Sequence, residues 1–67
     1  MNDRRQVRTQ AILDSLEEVR RGNLQAGVDM LRDVRSGASA PGEPALSIIE
    51  EHMMTEIGRL VRVRRLT

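Results

Sequence analysis

Towards the C-terminal side of the chain, Leu46, Ile49, Met53, Met54, Ile57, Leu60 and Val61 recur with helical spacing. At 100° per residue they fall within roughly 140° of arc, with Glu51, Thr55, Arg59 and Arg62 opposite, so the segment reads as an amphipathic helix. Pro44 suits a first helical position and Glu43 adds favourable charge before it. Early acids (Glu50, Glu51) and late arginines match the helix dipole. The predicted helix covers residues 44–64.

The first half is also helical, over residues 3–35. Ile12, Leu13, Leu16 and Val19 form one apolar stripe, and Leu24, Met30, Leu31 and Val34 form another. Between them stands Arg20-Arg21-Gly22-Asn23. Basic residues, glycine at a C′ position and asparagine as the next N-cap predict a stop and restart at 22–23. The stripe nevertheless keeps its phase, since Leu16 and Val34 are 18 residues (34 − 16), or about five turns, apart. One long helix is therefore the alternative. The stretch SGASAPGEP then breaks the periodicity, so residues 36–43 read as a linker. No run alternates as a strand would. The fold expected is all-α: residues 1–67 as one small domain, a helical hairpin or three-helix unit assembling into a dimeric helical bundle.

Composition sharpens that expectation. A 67-residue chain with no cysteine and no aromatic residue must build its core from aliphatic and methionine side chains, without a disulfide. Homodimerisation, or burial against a partner, is the expected remedy. The longest apolar run is the three residues Ala11 to Leu13, so no membrane span or signal core is predicted, and a cytoplasmic location is expected. Eleven arginines and no lysine stand against ten acids, a usage that fits GC-rich bacterial or phage coding. The near balance of charge removes a global field for nucleic acid and leaves only local ones.

Two such local clusters exist. The last ten residues, GRLVRVRRLT, carry Arg59, Arg62, Arg64 and Arg65, and the N-terminus carries Arg4, Arg5 and Arg8. Arg4, Arg5, Arg8, Arg59, Arg62 and Arg65 are candidate contacts for phosphate or an acidic partner. An even-numbered antiparallel arrangement would merge the clusters, whereas three helices would separate them. No aromatic residue for base stacking and no zinc ligand set accompanies them, so nucleic acid is the second choice of partner.

The remaining candidates are few. Ile48 and Leu66 fall on the polar face of the last helix beside Ala45 and Val63, so Ile48, His52, Val63 and Leu66 are the candidate protein-partner contacts. His52, with Glu56 four residues on, reads as an exposed pair, since no further ligands complete a metal site. Asp14-Ser15-Leu16 resembles the phosphopantetheine attachment motif of carrier proteins over three residues only, and the chain before it is too short for the helix and loop they need. Ser15 reads as an ordinary helix-surface hydroxyl. Gly27 falls on the apolar stripe, where its missing side chain permits close backbone approach; Gly58 falls to one side of its own stripe. There is no nucleophile–base pair, metal set or phosphate-cradling loop, so neither an enzyme nor a bound cofactor is expected. The function expected is that of a small non-enzymatic regulator, adaptor or inhibitor that self-associates and binds a protein; the alternative is a nucleic-acid-binding regulator.

Overall fold

The computed structural model describes residues 4–67, with side chains from Gln6 onward, so Arg4 and Arg5 as candidate contacts lie outside the described side chains. Three helices follow one another: α1 (Arg4–Arg20), α2 (Leu24–Ala38) and α3 (Ile48–Leu66). The described residues contain no strand.

The break between α1 and α2 falls at Gly22, with φ +93°. Gly22 N donates to Val19 O at 3.0 Å and Asn23 N to Glu18 O at 2.9 Å, the paired bonds of a Schellman ending. A single long helix is thereby excluded. Asn23 occupies the N-cap position of α2, but its side chain makes no cap bond. Its Nδ2 donates instead to Glu18 Oε2 at 2.7 Å, so the residue finishes α1 more than it starts α2.

Both bounds of the linker differ from the sequence expectation. Helix α2 continues through Ser36 and Gly37 to Ala38, because nothing before Pro41 removes a backbone donor. The chain then turns at Ala40–Glu43: Glu43 N donates to Ala40 O at 3.2 Å, and Gly42 takes φ +81° after Pro41, as a type II turn requires. Helix α3 starts at Ile48, not Pro44. Ser47 is its N-cap: Glu50 N donates to Ser47 Oγ at 3.1 Å and Ser47 N to Glu50 Oε1 at 2.9 Å. This reciprocal capping box satisfies two donors, where Pro44 would only have lacked one.

The core is wholly aliphatic and methionine. Ile12, Val19, Val34, Met54, Ile57 and Val61 are buried, with Leu16, Leu24, Val28, Leu31, Met53 and Leu60 packed against them. Each fully buried side chain of this kind contributes roughly 1.5–3 kcal/mol. Leu13 and Ile49 depart from their predicted stripes and are exposed. On α3 the buried line is Glu50-Met54-Ile57-Val61, which turns Ile49 outward by one helical step.

Helices α1 and α2 form an antiparallel pair that packs tightly at Gly27. A Cβ there would collide with Val19 Cγ2 and lie 3.1 Å from Ser15 O. Ser15 is fully buried, and its Oγ donates to Gly27 O at 2.7 Å. The surface-hydroxyl reading of Ser15 is therefore corrected: it lies in the helix–helix seam, where the glycine opposite brings a carbonyl within reach. Gly58 has open space around it.

Helix α3 lies parallel to α1. Arg8, near the start of α1, reaches Glu50 in the first turn of α3, and Arg64, in the last turn of α3, reaches Val19 and Arg20 at the end of α1. The N-terminal part of α1 and the basic tail therefore stand at opposite ends of a body measuring 40 × 20 × 17 Å. Among the described side chains, Arg8 does not merge with the arginines of the tail into one patch.

Candidate docking surfaces

A groove of about 690 Å³ opens between α1 and α2. Val7, Ala11 and Asp14 line it from α1, and Met30, Asp33, Val34, Gly37 and Ala38 from α2; Arg8, Ala40 and Glu43 complete it, and α3 contributes nothing. Its origin is local. The helices meet tightly at Gly27, but away from the turn the facing residues include Ala11, Gly37 and Ala38, too small to fill the space between them. Val7 is 60% exposed at one rim. Asp14 accepts only from the Gln10 amide, at 2.9 Å, and Asp33 has no partner among the described residues.

Arg8 lines the groove but carries little free charge into it. Its Nε donates to Glu50 Oε2 at 2.7 Å and its Nη2 to Glu50 Oε1 at 3.0 Å. Further bonds run to Pro44 O at 2.7 Å and Ala45 O at 3.1 Å. The hydrogen bonds from Arg8, helped by those of Ser47, hold the Glu50 carboxyl down at about 2 against an ordinary 4.5, despite its burial. The same contact raises the Arg8 pKa. A bidentate, buried pair of this kind fixes geometry and leaves Arg8 few donors for an external phosphate.

The basic tail divides into residues with distinct jobs. Arg64 Nη1 donates to Val19 O at 2.7 Å and to Arg20 O at 3.2 Å; Val19 O already accepts from Gly22 N, so the guanidinium adds a second bond there and gives the Arg20 carbonyl at the end of α1 a partner. Arg65 donates to Gln25 Oε1 at 3.2 Å. Arg59 pairs with Glu56 at 3.1 Å on the surface, which takes Glu56 away from the pairing expected with His52. Arg62 is exposed and has no partner among the described residues.

The four candidate partner residues are all exposed, but they do not make one patch. Ile48 and Leu66 are 89% and 83% exposed on one line of α3, yet 18 residues (66 − 48) apart, or ~27 Å at 1.5 Å per residue. His52 lies between them and Val63 close to Leu66. Two separate features result: Ala45, Ile48 and Ile49 where α3 begins, and Val63 with Leu66, flanked by Arg59 and Arg62, where it ends. The sequence shows Ala45 and Ile48 of the first feature but not Ile49, whose spacing places it in the core stripe although it is exposed. Sequence reasoning missed the groove because a gap between helices depends on two distant segments at once.

Among the described residues no group of His, Asp and Glu side chains is placed to hold a metal ion, and no helix is long and apolar enough to cross a membrane. No family model, curated protein or solved structure matches the chain significantly.

Proposed function

We propose that this chain is a small non-enzymatic protein-binding module that self-associates and takes a protein partner. The observation that carries the reading is the apolar surface left after folding. An open groove lies between α1 and α2, and Ile48, Ile49, Val63 and Leu66 project from α3. With a core free of aromatic side chains, burial of that surface in an assembly offsets conformational entropy that the single chain offsets only narrowly. The partner-facing surface on this reading is the Ala45, Ile48 and Ile49 patch. Ile48→Asp tests it: partner capture from the native host should disappear while helix content and self-association persist. Capture unchanged by Ile48→Asp would remove that patch from the reading.

A nucleic-acid reading has one observation in its favour. The parallel packing of α1 and α3 places the end of α1, with Arg20 and Arg21, beside the last turn of α3, with Arg64 and Arg65. Against it, Arg64 is engaged with backbone carbonyls and Arg21 pairs with Glu17 at 3.4 Å. The protein-partner reading is the better supported.

A further inference from the structure

We propose that copies of this chain associate head to tail, with the α3 ridge of one copy seated in the α1–α2 groove of the next. This inference rests on the self-association just proposed and assigns its surfaces. The ridge is Arg59, Arg62, Val63 and Leu66, which share one outward face of α3 at intervals of three and four. Val63 is 53% and Leu66 83% exposed.

Three features match ridge to groove. Both carry apolar side chains, Val7, Ala11 and Val34 in the groove and Val63 and Leu66 on the ridge. The groove carries Asp14 and Asp33 at its rim, and the ridge carries Arg59 and Arg62, so opposite charges meet on docking. The lengths also agree. Val7 to Asp14 and Arg59 to Leu66 are each seven residue steps (14 − 7 and 66 − 59), or ~10 Å of helix.

The same charges argue against the symmetric alternatives. Groove against groove would bring Asp14 and Asp33 of one copy towards the same acids of another. Ridge against ridge would do likewise for Arg59 and Arg62. The groove takes no lining from α3, so a copy does not fill its own groove with its own ridge. The contact is therefore heterologous, and each copy that docks leaves one groove and one ridge open. Growth continues beyond a dimer unless the rotation between copies closes a ring.

Sedimentation of the full chain, with two variants, tests this. Val7→Arg fills the groove with a charge that repels Arg59 and Arg62. Leu66→Asp places a charge on the ridge that repels Asp14 and Asp33. Both residues are exposed, so circular dichroism should show unchanged helix. The wild-type average mass should rise past that of a dimer between ~10 µM and ~1 mM, the range of a small interface. Each variant alone should stay monomeric. Mixed in equal amounts, they should form a one-to-one dimer and grow no further, since one supplies an intact ridge and the other an intact groove. Wild-type association that neither variant changes would overturn the head-to-tail assignment and leave self-association standing. Variants that stay apart when mixed would overturn it too. A wild-type monomer at every concentration would overturn both.

Discussion

Arg8 of α1 and Glu50 of α3 form a two-pronged ion pair, with Nε–Oε2 at 2.7 Å and Nη2–Oε1 at 3.0 Å. Glu50 is only 6% exposed and also caps α3 through Ser47, so one carboxylate joins helix start, linker and first helix. Removing Arg8 leaves that carboxylate buried without its cation. Arg8→Ala should cost about 3 kcal/mol in denaturant unfolding.

The pH dependence of this pair has a definite sign. The folded-state pKa of Glu50 is depressed, so its contribution is fully present above the ordinary 4.5. It is lost as pH falls towards about 2, because the unfolded chain takes up the proton first. Denaturation midpoints should therefore fall through that window, and the fall should be shallower in Arg8→Ala. An equally steep fall in the variant would assign the acid sensitivity to other carboxylates.

Glycine and serine at the α1–α2 seam give a second set of outcomes. Gly27→Ala should destabilise by about 2 kcal/mol, because the added methyl meets Val19 and the Ser15 backbone in a packed seam with little room to relax. Ser15→Ala, which loses a buried hydrogen bond, should cost about 1 kcal/mol. Gly58→Ala is the contrast: with open space around the site, it should stabilise by about 0.5–1 kcal/mol through helix propensity. Thermal melts of the three variants decide this by their order, and a Gly27→Ala melt at or above wild type would show that the seam is loose.

What was legible in the sequence was local or periodic. The stop at Gly22 could be read because a Schellman ending needs a left-handed residue at one position, and glycine supplies it without steric cost. The stripe of Met54, Ile57 and Val61 could be read from helical spacing. The start of α3 was misplaced although Ser47-Ile48-Ile49-Glu50 carries the capping-box spacing in plain sight; Pro44 drew the boundary forward. Ser15 was misplaced because its burial follows from a glycine 12 residues away. No local pattern shows that the Arg8 partner is Glu50 or that Arg64 bonds to the end of α1, since these pairs form only when three helices meet. The candidate docking surfaces share that origin. Their residues are legible one at a time, and their grouping is tertiary.

The linker separates a tolerant segment from helical ones. Inserting a few Gly and Ser residues between Pro41 and Gly42 should lower stability by less than about 1 kcal/mol, since loop-closure entropy grows slowly with length. The same insertion after Ser36 should cost several times more, because Ser36, Gly37 and Ala38 are helical and Gly37 and Ala38 line the groove. Equal effects from the two insertions, measured by denaturant unfolding, would show that the end of α2 adds nothing to stability.

The basic tail yields the sharpest contrast between neighbouring residues. Arg64 donates to Val19 O and Arg20 O, where a cation meets the negative end of α1 and ties the last turn of α3 to it. Arg64→Ala should cost about 1.5–2 kcal/mol, in the range of hydrogen bonds made by charged groups. Arg62→Ala with Arg65→Ala removes an unpartnered guanidinium and one exposed bond to Gln25, and should cost only a few tenths of a kcal/mol. Unfolding curves separate the two outcomes directly. The double variant also tests the nucleic-acid reading. If the tail contacts duplex phosphates, binding should weaken and the salt slope should flatten by about one unit per lost contact. A wild-type slope near zero, or no duplex binding at physiological salt, leaves the tail with the structural work of Arg64 and its place in the α3 ridge. The expected result is the second, since Arg8 is held by Glu50 and Arg64 by the end of α1. Micromolar duplex binding lost with Arg62 and Arg65, and unaffected by Ile48→Asp, would make nucleic acid the better reading.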